Sequence, residues 1–216
     1  MSPHAPAPAA LPCSVELLAD EGLVLDVHLN AAQMRDAAAF FAAHPRVTVV
    51  INHLGCLRLP REDAPEATGE SAAAQALLAD WRAGMLALAA LPSVYMKLSG
   101  LDFITPHWIA HPAAAAVVRG MVRETVAAFG PARCMVASNW PVAKMFSAAP
   151  AGQAAGEPVR LAQLYEAIHG LVSDLPLPDR EALFRGTAER VYRLPAYRGH
   201  VGGPLPRSAF APDDAA

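Results

Sequence analysis

Residues 47–52 read VTVVIN and run directly into His53-Leu54-Gly55. The β-branched run is almost unbroken, which is the composition of a strand buried on both faces in a parallel sheet. His53 sits where that strand ends, beside a glycine where the backbone turns. Three other short apolar runs have the same design. Residues 23–29, LVLDVHL, carry His28; residues 93–98, SVYMKL, lead into Ser99-Gly100; residues 134–137, CMVA, lead into Ser138-Asn139. Helical patterns separate the runs. Residues 31–44 place Met34, Ala37, Ala38 and Phe41 on one face, and residues 71–91 turn Leu77, Leu78, Trp81, Met85 and Leu88 inward. Residues 113–129 are helical up to Gly130-Pro131. Strands alternating with helices, with polar groups at the strand C-termini, are how a (β/α) barrel builds its active site. A doubly wound sheet uses the same end of its strands.

The remaining segments complete an α/β chain of about four β/α units. Residues 1–13 are rich in Pro and Ala and read as a disordered segment, with Ser14 as the N-cap of one or two helical turns. Residues 14–194 form the folded domain. After a loop at 138–158, helices are expected at 159–172 and 179–185. Gly186 suits the position just past a helix end, and Thr187 caps a last short helix to Leu194. Residues 195–216 read as a flexible Gly/Pro-rich tail. A closed barrel has eight such units, so this pattern accounts for the C-terminal half of one.

Composition narrows the function classes. The 216 residues are 54% hydrophobic and 17% charged, which excludes a disordered chain. A net charge of −3 gives no basic face for nucleic acid or anionic membrane. The three cysteines are an odd number without a CxxC pair, arguing for a reducing compartment and against a Cys-rich zinc site. The N-terminus lacks a basic n-region and no apolar run is long enough to span a bilayer, so the expected location is the cytoplasm. There is no G-x-G-x-x-G, no Walker A and no D-x-H-x-H.

His53 is the leading chemical candidate. A neutral imidazole there can ligate a metal or polarise a carbonyl, and it can equally cap the strand end. Asn139 can orient a carbonyl or a water, or shape the turn before Trp140-Pro141, but it is no general base. His28 lies on the side of its strand that carries Asp26 and reads as a hydrogen-bonded core histidine. Ser99 has no nucleophile elbow around it and reads as a loop or substrate-contact serine. Lys97 reads as a snorkelling lysine. His107, His111 and His169 read as surface residues.

Four motifs together resemble the amidohydrolase-related family of TIM-barrel hydrolases, which includes lactonases and some decarboxylases. They are INHLG (51–55), VYMKLSGL (94–101), FGPARCMVASNWPV (129–142) and LFRGTAERVYRL (183–194). The resemblance implies that His53 matches the histidine of the family's H-[LM]-G motif, a metal or substrate ligand. It implies that Asn139 stands where many members carry the aspartate of S-D-[WF]-P. It also implies that His28, Ser99 and Trp140 line the substrate pocket. The family's N-terminal half, with its H-x-H metal pair, has no counterpart here. Three explanations follow: a true start upstream, a split gene, or a second copy that pairs with the open sheet edges.

The expected function is therefore hydrolysis of a lactone or cyclic ester of a small carboxylic or sugar acid. The alternatives are a decarboxylase on the same scaffold and a catalytically inactive remnant or binding module. The cofactor is either a divalent metal such as zinc, held by His53 once the missing ligands are supplied, or none. The expected partners are a small-molecule substrate and another copy of the chain, without nucleic acid or membrane.

Overall fold

The computed structural model describes residues 11–59, 71–143 and 159–195. Four strands, β1 (Val24–Val27), β2 (Thr48–Ile51), β3 (Val94–Leu98) and β4 (Cys134–Val136), form one sheet in the order β1-β2-β3-β4. All neighbours are parallel, with Asp26 opposite Val50, Val50 opposite Tyr95, and Lys97 opposite Met135. The helices are α1 (Leu11–Asp20), α2 (Met34–Ala42), α3 (Ala72–Ala89), α4 (Pro112–Phe129), α5 (Leu161–Leu171), α6 (Leu177–Glu181) and α7 (Thr187–Val191).

Strand order decides between the two architectures left open by the sequence. A doubly wound sheet reverses its strand order and carries helices on both faces. Here the order is sequential, and the main core packs α2, α3, α4 and α5 against one face, through Val49, Ile51, Val94, Met96, Leu98 and Cys134. That is a segment of a (β/α) barrel wall. On the opposite face, Val50, Met135 and Tyr95 pack against Val191, Ala188 and Tyr192 of α7 and its end. Val49, Val50 and Ile51 are all fully buried, as expected of a strand covered on both sides.

Two glycines set the fit between α2, α3 and the turn after β2. A β-carbon on Gly55 would lie 2.5 Å from Met34 Sδ, and one on Gly84 would lie 2.6 Å from Met34 Cβ. Met34 is fully buried between them. One arginine joins the opposite ends of the elements. Arg133 donates to the carbonyls of Ala89 (2.8 Å), Leu91 (2.9 Å) and Phe129 (3.0 Å), taking up orphan acceptors at the C-termini of α3 and α4.

Several boundaries differ from the sequence expectations. The first helix begins at Leu11, three residues before Ser14. Gly186 does not end a helix: its φ of −61° is right-handed helical, and residues Ala182–Gly186 form a π-helical turn that runs into α7. Thr187 is buried within that continuous path and its hydroxyl donates to the Pro131 carbonyl instead of capping. Residues 1–10, 60–70, 144–158 and 196–216, which include most of the expected N-terminal segment (1–13), loop (138–158) and tail (195–216), lie outside the described residues. No helix among the described residues is long and apolar enough to cross a membrane.

Candidate active site

Each strand delivers its polar group at the same end of the sheet, and three of the four exits use a left-handed residue. His53 (φ 57°) follows β2, Gly100 (φ 59°) follows β3, and Asn139 (φ 53°) follows β4. After β2 the left-handed conformation persists through Leu54, Gly55 and Cys56. Non-glycine residues pay roughly 1–2 kcal/mol each for this conformation. Packing and hydrogen bonding hold it in place. Leu54 and Leu57 are fully buried, Gly55 accommodates Met34, and the Trp81 indole donates to the Leu54 carbonyl at 2.8 Å. Such strain persists where the surroundings over-determine it, and it concentrates at functional sites.

The turn fixes His53. Its Nδ1 lies 2.8 Å from the Ser99 hydroxyl, and Ser99 is buried. The imidazole packs against Gly100 so closely that a β-carbon there would meet Nδ1 at 2.9 Å. Phe103 stands edge-on to the ring at 5.5 Å, and Arg58 lies over Phe103 at 4.9 Å. Burial lowers the His53 pKa from 6.5 to about 4, with smaller contributions from His28 and the Lys97 ammonium. His53 is therefore neutral at pH 7. Two tautomers are available. If Ser99 donates to Nδ1, then Nε2–H is a donor; if Nδ1–H donates to Ser99, then Nε2 offers a lone pair.

His28 departs from the expected core histidine. It is exposed, because β1 is a sheet edge, and its Nε2 lies 3.0 Å from Cys56 Sγ. Its ring meets His53 in a T-shaped arrangement at 5.5 Å. Burial raises the Cys56 pKa, so the thiol stays protonated and is the donor in this contact. Asn139 occupies the exit of β4, where its carbonyl accepts from Ala143 N at 3.1 Å. Trp140 is exposed, its backbone N–H donates to Ser138 Oγ at 3.2 Å, and the Trp140–Pro141 bond is cis. The structure thus clusters His28, His53 and Ser99 closely and sets Asn139 and Trp140 at the same sheet end.

Lys97 corrects the sequence reading. It does not snorkel: its ammonium bonds Asp26 at 2.5 Å beneath the Tyr192 ring, and Tyr192 OH donates to both Asp26 oxygens at 3.0 Å. Asp26 and Lys97 share the sheet face that α7 covers, with Asp26 exposed on the edge strand and Lys97 half-buried. The alternation puts Asp26 with His28 and Lys97 with Ser99 on one face each, but β2 lies between the two strands, and the pattern within each strand does not show that Asp26 and Lys97 meet. Phe103, Cys56 and Arg58 were missed because they sit on turns without periodicity. Asp102, buried in the turn after Gly100, has its pKa raised by burial from 3.8 to about 6.

Metal chemistry can be tested on the donor set. A zinc site takes about four N, S or O ligands. Among the described residues no group of three His, Cys, Asp or Glu converges on one point. His53 Nε2 is a single donor, and His28 Nε2 is engaged by Cys56. These residues do not make a metal site by themselves.

Comparison with known proteins places this geometry. The chain is 34% identical over 179 residues to L-fucono-1,5-lactonase from Burkholderia multivorans, covering 80% of this chain and 52% of that protein. It is 30% identical over 177 residues to the uncharacterized protein y4mH of Sinorhizobium fredii, covering 82% of this chain and 49% of that one. The chain therefore spans about half the length of the curated relatives it matches. A zinc-bound crystal structure of a Burkholderia multivorans amidohydrolase superposes with a TM-score of 0.67 at 29% identity, over 87% of this chain and 58% of that one. A 2-pyrone-4,6-dicarboxylic acid hydrolase from Pseudomonas putida, described as putative, shares the fold at a TM-score of 0.64 and 20% identity, over 90% of this chain and 61% of that one. The family model described as Amidohydrolase matches residues 6–194, and the chain, with its sequential parallel strands and its histidine at the β2 exit, belongs to that family.

Proposed function

We propose that this chain carries half of a lactone-hydrolase active site, with His53 as the group that meets the reacting carbonyl. The observation that supports it most is the neutral imidazole, fixed through Nδ1 by buried Ser99, with Nε2 left for a ligand. In the tautomer where Ser99 donates, Nε2–H stabilises negative charge that develops on the carbonyl oxygen as water attacks. A pKa near 4 makes His53 a weak base at neutral pH, so its role is polarisation and not proton abstraction. Asn139 orients the water or the ring oxygen through its amide. Trp140 and His28 provide the exposed walls of the pocket. The general base is supplied from outside the residues named here.

In the other tautomer His53 Nε2 serves as one ligand of a divalent ion, the remaining ligands coming from beyond this site. The step above does not depend on that. The substrate class is a lactone of a sugar acid or other small carboxylic acid, by analogy with the fucono-lactonase relative. The test is ring opening of a panel of aldono-1,5-lactones by the full chain, followed by acid release with a pH indicator. The expected result is a rate above buffer for at least one member, lowered by about 100-fold in His53→Ala. Rates equal to buffer across the panel overturn the proposal.

A further inference from the structure

The turn after β2 carries one cation that the proposed reaction does not use. Arg58 stands a few residues beyond His53, between two anchored leucines. Leu57 and Leu59 are buried on either side, and Leu59 N donates to the Ile104 carbonyl at 3.3 Å. Arg58 itself is exposed, so solutes reach it. Its guanidinium carbon lies 4.9 Å from the centre of the Phe103 ring. The same ring stands edge-on to His53 at 5.5 Å. One aromatic ring therefore separates a fixed positive charge from the neutral imidazole.

No carboxylate answers this charge. Among the described residues Arg58 makes no ion pair and no hydrogen bond, and its contact is with the Phe103 face. Asp102, next to Phe103 in the chain, is shifted by burial and by its own backbone, with no share from Arg58. Lys97 differs, since its ammonium is already held by Asp26. The Arg58 charge does reach the site. It favours the Cys56 thiolate against the larger effect of burial, and Cys56 touches His28. Contact with an aromatic face leaves the in-plane N–H groups of a guanidinium for a planar acceptor. It also fixes the long side chain before a ligand arrives, which removes part of the ordering cost of binding. A guanidinium placed in this way takes a carboxylate through two parallel bonds.

We propose that Arg58 sets the specificity of the His53 site, which takes lactones that carry a second, free carboxylate: the ring carbonyl meets His53 and the carboxylate sits on Arg58. The proposal rests on the lactone-hydrolase reading and names its substrate class. Water adds to the acyl carbon, the ring C–O bond breaks, and the products are a hydroxy-dicarboxylate and one proton. The test compares two lactones with the same ring: D-glucaro-1,4-lactone, with a carboxylate at C6, and D-glucono-1,4-lactone, with a hydroxymethyl group there. Binding by calorimetry and ring opening are both measured, on the full chain and on Arg58→Gln. The carboxylated lactone is expected to bind about tenfold tighter or more, with a correspondingly lower KM, and Arg58→Gln to bring the two within about twofold. The Arg58 Nε–H resonance of the parent protein is expected to shift with the glucaro-lactone and not with the glucono-lactone, which reads the contact without a variant. Equal binding of the two lactones by the parent protein overturns the proposal, whether or not either is opened. A preference that Arg58→Gln retains also overturns it. Selective, Arg58-dependent binding with no ring opening overturns the lactone-hydrolase reading and leaves the carboxylate site standing.

Discussion

Ser99 holds one nitrogen of His53, and that contact determines what the other nitrogen can offer. Ser99→Ala removes it without changing the fold, and lactone-opening activity is expected to fall about 10–100-fold, the usual cost of losing the group that orients a reactive histidine. Undiminished activity in that variant would show that the contact does not orient the ring. Two titrations in this cluster oppose each other. His53 is lowered to about 4 from 6.5, so the unfolded state binds more protons between these values and stability falls as pH drops from about 6.5 toward 4. Asp102 is raised from 3.8 to about 6, so the folded state holds more protons and stability falls as pH rises through that window. Between about pH 4 and 6 the slopes cancel in part. Asp102→Asn removes one of them. Its urea midpoint is expected to rise more steeply with pH over 4 to 6.5 than the parent's, and to exceed the parent's at pH 7. Parallel midpoint curves for the two proteins would refute this. His53 was legible because it followed a β-branched run. Lys97 was misread because a single strand does not reveal that Asp26 and Tyr192 come to meet it.

At the scale of elements, close approach decides which glycines matter. Gly→Ala within a helix is favoured by roughly 0.5–1 kcal/mol of backbone entropy. At Gly84 a β-carbon would sit 2.6 Å from Met34 Cβ, and overpacking of this kind costs about 1–3 kcal/mol, so the clash wins. Gly84→Ala is expected to lower stability, while Gly120→Ala in α4, with nothing within 4 Å of the new carbon, is expected to raise it. Opposite shifts in denaturation midpoint check the pair, and shifts of the same sign would contradict this packing. Trp81→Phe strands the Leu54 carbonyl and is expected to cost about 1–3 kcal/mol, with loss of activity as the left-handed turn loosens. A fully active Trp81→Phe protein would show that the turn is held by other contacts. Helix faces and strands were readable because burial repeats with their period. The turns after the strands were not, since the run of left-handed residues from His53 to Cys56 is imposed by tertiary packing. The π-helical turn was missed for the same reason: Gly186 looked like a stop signal but is held in helical geometry by the contacts with β4.

At the scale of the molecule, one sheet face is packed by helices and the other is covered only toward α7. The uncovered part carries His28 and Asn139, and among the described residues β1 and β4 each have one unpaired edge. Exposed edges of parallel strands are templates for further pairing. The chain is therefore expected to associate, and sedimentation should reveal species heavier than 22.7 kDa. A monomer at every concentration would argue that the edges are closed in some other way. The half-barrel architecture was legible from the count of strand–helix units, and the one-faced helix layer was not, because it depends on strand order. The central claim is that His53 meets the reacting carbonyl. The most direct measurement compares lactone opening at pH 7 by the parent and by His53→Asn, with circular dichroism confirming that both are folded. A loss of about 100-fold or more in the variant is the predicted result, and equal rates from the two folded proteins would contradict the account.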